Sequence, residues 1–363
     1  MRPLTKPALP MRAPILAAAL AAAGLLPDPS AADEPGITGS LDGFHDAIIQ
    51  RVEHPDWFKD SFLDLPEDAQ EARAAGKQGL FLFFGTEGCS YCHLFLATSL
   101  TDPDIVARLR DHFDSIGLEI FSDAELTDFS GDGTRVKQFA LDQGVQFAPT
   151  LLFFDTDGNR LLRLTGYYEP ERFSQALDYL IDGHYREQGL QAYLAGLQPP
   201  AAPGGSRPEA LIPDPLFAAA PYALDRSRMP AERPLLVVFE GADCPRCKRF
   251  HDEVLGDAPT RARLADFDVV RLDAGDADTP VLTPAGERTN PRDWYAELGF
   301  SELPALAFFA EDGRPVLATD AVVLTGRMNN AIGFVTERAY EKGWTYQRYA
   351  RQQGLARAAG RTP

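Results

Sequence analysis

The four cysteines of this 363-residue chain fall as two C-x-x-C pairs, Cys89/Cys92 and Cys244/Cys247. A thiolate is both a nucleophile and a metal ligand, so this spacing admits disulfide exchange, metal ligation or covalent haem attachment. A structural staple gains by closing a long loop of the unfolded chain, and a loop of two residues removes little entropy. An exchangeable disulfide is therefore the leading reading. If each pair opens a helix, unpaired backbone N–H groups and the positive end of the helix dipole lower the pKa of the first thiol. Cys89 and Cys244 are then the expected nucleophiles, and Cys92 and Cys247, one turn deeper, the resolving thiols.

The elements needed to hold the sulfurs in that position are written twice, 155 residues apart. Leu80-Phe81-Leu82-Phe83-Phe84 aligns with Leu235-Leu236-Val237-Val238-Phe239, and each is a continuous apolar run of the kind a fully buried strand requires. Each run leads into its cysteines. Beyond them Phe95, Leu100 and Ala107-Arg108-Leu109 match Phe250, Leu255 and Ala262-Arg263-Leu264, with apolar positions at helical spacing. Sixty residues after each leading Cys a proline, Pro149 or Pro304, opens another apolar run. Proline cannot donate to a central ladder and so belongs at a strand's start. Both runs end at an Asp-Gly pair, Asp157-Gly158 and Asp312-Gly313, a hairpin signal. Helices are expected to close the halves over Glu171 to Ile181 and roughly Asn330 to Lys342. Phe121 to Lys137, acidic and Gly-containing, reads as a surface insertion.

The rival chemistries fit less of this pattern. Cys89-Ser90-Tyr91-Cys92-His93 satisfies the C-x-x-C-H haem signature, but its repeat has Lys248 where the ligand His would stand. A zinc site of four thiolates would have to join two separate cores. Asp155, Asp157 and Asn159 lack the closing Glu of a calcium loop and read as turn residues. No metal or other cofactor is expected. His45, His54, His112, His184 and His251 are scattered with no catalytic spacing, whereas His93, on the first helical turn, is placed to modulate Cys89.

Net charge is −18 with 45% apolar and 24% charged residues, a soluble composition with an acidity that disfavours nucleic acid. Residues 1–32 read as a signal peptide: Arg2, Lys6 and Arg12, then the apolar Ile15 to Leu26, then Ser30-Ala31-Ala32. Removing them leaves a charge of about −20. A periplasmic location follows as the expectation. The expected layout is a first domain over 33–195, a Pro/Gly/Ala-rich linker over 196–210, a second domain over 211–345 and a basic tail over 346–363, read as a frayed helical end.

Each half resembles a thioredoxin domain in its order of strand, C-x-x-C, helix, proline-led strand, Asp-Gly hairpin and final helix. The first half is similar to SoxW-like periplasmic thioredoxins through Trp57-Phe58, Phe62-Leu63, Gly76-Lys77, Gly88-Cys89-Ser90-Tyr91-Cys92, Phe147-Ala148-Pro149-Thr150 and Gly166-Tyr167. The resemblance implies an α/β protein of two thioredoxin-like domains, each a central mixed β-sheet flanked by helices. It also implies cis peptides at Pro149 and Pro304, and client binding by the backbone of Ala148-Pro149 and Leu303-Pro304. The implied activity is thiol–disulfide exchange with exported proteins in the reducing direction, fed by a membrane electron donor. A client-binding scaffold without turnover is the non-enzymatic alternative.

The halves are not copies. Pro245 suits the first helical position and Arg246 adds a cation beside Cys244, where the first domain has Ser90 and Tyr91, so Arg246 and Tyr91 are expected to modulate the thiols of their own motifs. A lower thiol pKa stabilises the reduced form, so the second pair is expected to be the more oxidising, with electrons passing to it from Cys89/Cys92. Phe83 and Gly88, and Val238 and Asp243, stand where the family usually has a buried acid and a Trp, and Ala305 replaces the Thr150 of the first half.

Overall fold

The computed structural model describes residue 46 and residues 52–145, 147–197, 211, 213–242 and 244–358, all within one compact unit, Ile37–Pro363. The expected signal peptide, His45, Asp243, the centre of the linker and the last five residues of the tail lie outside the described residues.

The first half runs α1 (Leu65–Ala74), β1 (Gly79–Gly85), α2 (Ser90–Thr98), α3 (Pro103–His112), β2 (Phe113–Glu119), β3 (Glu125–Thr127), β4 (Gly133–Arg135), α4 (Val136–Asp142), β5 (Thr150–Asp155), β6 (Arg160–Thr165), α5 (Pro170–Ile181) and α6 (Leu190–Leu197). The second runs β7 (Tyr222–Ala223), β8 (Leu235–Glu240), α7 (Pro245–Arg249), α8 (Ala258–Leu264), β9 (Asp268–Asp273), β10 (Val281–Leu282), β11 (Arg288–Thr289), α9 (Pro291–Glu297), β12 (Ala305–Phe309), β13 (Pro315–Thr319), α10 (Thr325–Thr336) and α11 (Tyr346–Ala358).

Each half builds one mixed four-stranded sheet, in the orders β2-β1-β5-β6 and β9-β8-β12-β13. The central strands β1 and β8 run parallel to β2 and β9 and antiparallel to β5 and β12. The repeat extends to register: Leu80 faces Phe154 and Leu235 faces Phe309, and each Asp-Gly hairpin carries an irregularity at the same place. Continuous apolar runs are needed because both faces of β1 are covered. Phe81 and Phe83 meet Phe95 and Phe173 of α2 and α5, while Leu80, Leu82 and Phe84 meet α1 and α4. Full burial of each such ring contributes about 2–3 kcal/mol. In the second half Leu236 and Val238 pack toward α10, and Leu235, Val237 and Phe239 toward Trp294 of α9.

Local caps set several helix starts. Asp64, Asp102, Asp257 and Asn290 accept backbone N–H bonds at α1, α3, α8 and α9, each followed by proline in the first turn. Helix α10 differs, beginning at Thr325 rather than near Asn330 and ending at Thr336, with Lys342 in a separate 3₁₀ turn. Its preceding residue, Leu324, supplies no cap. The cap is the carboxylate of Asp46, which accepts from the N–H groups of Gly326 and Arg327 at 2.9 and 2.7 Å, a bond no local pattern foretells.

The two halves pack into one another. Phe147 lies in the second core with its ring 4.8 Å from that of Tyr346, and Leu324 lies in the first core. A Cβ on Gly166 would stand 2.4 Å from the Cβ of Ala321, so only glycine permits this approach, at a φ of +88° that also favours it. The stretch read as a frayed tail is helical over Tyr346–Ala358, with Tyr346 and Tyr349 buried in the second core. Among the described residues no helix is long and apolar enough to cross a membrane.

Candidate active site

Strand β1 ends at Gly85, and four residues later Cys89 caps α2, its Sγ accepting the N–H of Cys92 at 3.1 Å. Cys244 caps α7 in the same way, its Sγ accepting from Cys247 at 3.0 Å. Both pairs are joined as disulfides with Cα atoms 5.2 Å apart. Cys89 and Cys244 are half-buried, whereas Cys92 and Cys247 are 0% and 3% exposed. An incoming thiolate therefore meets the leading sulfur, and the trailing one is released into the protein. This asymmetry is what exchange requires, and it is hostile to haem, which must bond both sulfurs.

The peptides before Pro149 and Pro304 are cis. Ala148 lines the same pocket as Cys89, and the Leu303 side chain lies 3.0 Å from where a Cβ on Gly241 would sit, beside the second motif. Each proline loop thus stands next to its cysteine loop. The second is braced by Asp320, which accepts from the N–H groups of Ser301 and Glu302 and from the Ser301 hydroxyl.

The residues expected to modulate the thiols have more specific partners. Tyr91 is an interdomain anchor: its buried hydroxyl donates to Asp46 at 2.8 Å and accepts the Leu324 N–H at 3.1 Å. Burial, reinforced by Asp46, holds its pKa well above that of a free phenol, so it stays protonated. His93 is half-buried, and its backbone N–H binds the Cys89 carbonyl at 3.1 Å. Arg246 is not a free cation beside Cys244. It donates to Glu302 at 2.7 Å, and Glu302 also accepts from Arg172 of the first domain at 2.8 Å. That carboxylate tempers the electrostatic case for a more oxidising second site.

Motif reading missed Arg327, Asp46 and Glu302, because each reaches its site from far along the chain and each also bonds across the boundary between the domains. It also missed a charged cluster inside the second domain. Glu240, 1% exposed, binds His251 Nε2 at 2.8 Å and faces Arg271 at 3.6 Å. The available signal was a carboxylate closing an apolar strand and a histidine four residues after Cys247, on the same helical face. The corresponding residues of the first half, Gly85 and Leu96, are uncharged. Around this pair the helix widens to a π-type turn over Phe250–Leu255, with Gly256 N–H reaching the His251 carbonyl at 2.8 Å. Among the described residues no group of three or more His, Cys, Asp or Glu is placed to hold a metal ion.

Fold and sites together define a tandem thioredoxin-fold protein with a helix-tip disulfide in each half. The chain belongs to the thioredoxin-like domain family, which matches residues 65–181 and 223–332, more than half its length. No curated protein matches it. Among solved structures, a thioredoxin-fold protein from Helicobacter pylori is 25% identical, covering 39% of this chain and 91% of its own, with a TM-score of 0.31. A thioredoxin from Thermus thermophilus is 21% identical, covering 32% and 84%, TM-score 0.27. The C-terminal domain of Neisseria meningitidis DsbD in its reduced form is 14% identical, covering 30% and 84%, TM-score 0.22. The two domains of this family, each with its C-x-x-C pair at bonding distance, support a thiol–disulfide oxidoreductase.

Proposed function

We propose that the protein is a periplasmic thiol–disulfide oxidoreductase that works as a reductase of exported proteins, SoxW-like in its first half and recharged by a membrane electron donor. Cys89 and Cys244 attack the substrate disulfide, and Cys92 and Cys247 resolve it. Ala148-Pro149 and Leu303-Pro304 present the neighbouring backbone to the substrate. The carrying observation is the pairing, in both halves, of a half-buried leading sulfur at a helix tip with a sealed trailing sulfur. The apolar run and small-residue site within residues 1–32 support export.

Insulin reduction tests the activity. Variants with Cys89→Ser/Cys92→Ser, Cys244→Ser/Cys247→Ser and all four replaced separate the two sites. The fourfold variant is expected to be inactive, and turnover surviving in it would refute the reading. Recovery of the protein in the periplasmic fraction tests its location.

A further inference from the structure

The two halves meet about an approximate two-fold axis. In the internal repeat Gly166 corresponds to Ala321, and these two positions face each other across the boundary. Arg172 corresponds to Arg327, each being the third residue of its helix, α5 or α10. Each arginine crosses to the opposite half. Arg327 stacks on Tyr91 of the first cysteine motif and binds the Ala148 carbonyl of the first proline loop. Arg172 binds Glu302 of the second proline loop at 2.8 Å, and Glu302 in turn holds Arg246, the counterpart of Tyr91. Corresponding positions that reach across in both directions make an isologous interface.

That interface is built on the loops through which each half would meet a client. At the first site the cover is close. Phe147 is inserted in the second core and 2% exposed, and Ala148 is 1% exposed. Helices α10 and α11 stand over Cys89 and Ala148, and the space left between them is about 60 Å³. Such a space holds a few waters. An extended client strand needs a lane about 4.8 Å wide along the loop, with room for side chains on both faces. The second loop is covered through the Arg172–Glu302–Arg246 bridge.

The geometry points to a shared gate: the halves shield each other's client-binding loops, and a protein substrate enters at either site when they part. The gate rests on the oxidoreductase reading and adds the regulation of its two sites. Parting draws Phe147 out of the second core and Leu324 out of the first, so the open form is the minor one. At a population of about 10% or less, it lowers the apparent affinity for a client by the same fraction. One interface covers both loops, so whatever loosens it opens both sites.

The experiment uses two reduced full-length reporters, Cys244→Ser/Cys247→Ser and Cys89→Ser/Cys92→Ser, each left with one dithiol. Oxidation of that dithiol by insulin and by hydroxyethyl disulfide, a small neutral reagent, is followed by quenching with an alkylating agent. The ratio of the two rates separates access from the reactivity of the sulfur. Ala321→Phe wedges the interface without altering a cysteine motif or a proline loop. Arg172→Gln, at a side chain 28% exposed, serves if the wedge fails to fold. Amide exchange at Leu324, whose N–H binds the Tyr91 hydroxyl across the boundary at 3.1 Å, reports parting directly. Both variants are expected to speed that exchange and to raise the insulin ratio about tenfold at both sites. Faster exchange with an unchanged ratio overturns the gate, and so does a rise confined to one site. Exchange and ratio unaltered in both variants overturn it too, because the paired contacts then do not hold the halves shut. If both disulfides are still reduced in those cases, the oxidoreductase reading stands and the gate alone falls. If neither is reduced by any reporter, both fall.

Discussion

The guanidinium carbon of Arg327 lies 3.7 Å from the ring centre of Tyr91, so a helix of the second domain is stacked on the residue next to Cys92 in the first. The same arginine holds the Ala148 carbonyl. Arg327→Met keeps the length of the side chain but loses the stack and the charged bonds, and is expected to cost about 2–4 kcal/mol in urea unfolding. It should also expose the Ala148 carbonyl and speed insulin reduction through Cys89. A variant of unchanged stability would show that the stack does not hold the domains together.

Tyr91→Phe removes only the phenol oxygen, leaving the Leu324 N–H and one Asp46 bond without their partner. The expected loss is about 1–3 kcal/mol, with the reduction potential of the Cys89 pair little altered. A large change in potential with stability intact would restore Tyr91 to the direct modulating role that the motif implied.

Glu302 neutralises Arg246 two residues beyond Cys244. Glu302→Gln removes that negative charge, so the thiolate of reduced Cys244 is expected to be favoured. The pH profile of iodoacetamide labelling of the reduced Cys89→Ser/Cys92→Ser protein reads the shift. Alkylation moving to higher pH would contradict the assigned sign.

His251→Leu restores the residue type of the first half but strands Glu240, buried among apolar side chains with Arg271 at 3.6 Å. Breaking a buried pair at one partner costs about 3–5 kcal/mol. The double change Glu240→Leu/His251→Leu should recover much of it. Equal destabilisation by single and double variants would show that the two residues are uncoupled.

Acid should weaken a separate contact of the second domain. Arg261, by its hydrogen bond first of all, together with the Leu216 N–H, holds Asp214 below its ordinary value of 3.8. Its folded pKa is thus the lower one, and the unfolded chain binds the proton more readily. The contribution is complete above the unfolded value and disappears as pH falls through the depressed folded value. Asp214→Asn is expected to lose about 1 kcal/mol near neutrality and to match the parent once the pH lies below the depressed folded value. A constant gap between the two melting curves across that range would refute the linkage.

Much of each domain was legible because its signals are local. An apolar run buried on both faces reads as a central strand, and Asp-Gly turns, helix caps followed by proline and a fixed Cys-to-Pro interval all act within a few residues of themselves. The duplication doubled every such signal, so the buried central strands and the helix-tip sulfurs follow from Leu80–Phe84 and Leu235–Phe239 and what comes after them.

What escaped was decided by contacts between residues far apart in the chain. The start of α10 depends on a carboxylate at position 46, the free charge of Arg246 on a glutamate 56 residues away, and the surroundings of Cys89 on Arg327. Hydrogen bonds and ion pairs act over a few ångströms of space, and spacing along a chain does not encode which distant atoms come that close. The sequence by itself determined two dithiol centres on two similar sheets. Only the tertiary structure decided that the halves interlock, through Phe147, Leu324 and Tyr91, so that one domain roofs the sulfur of the other.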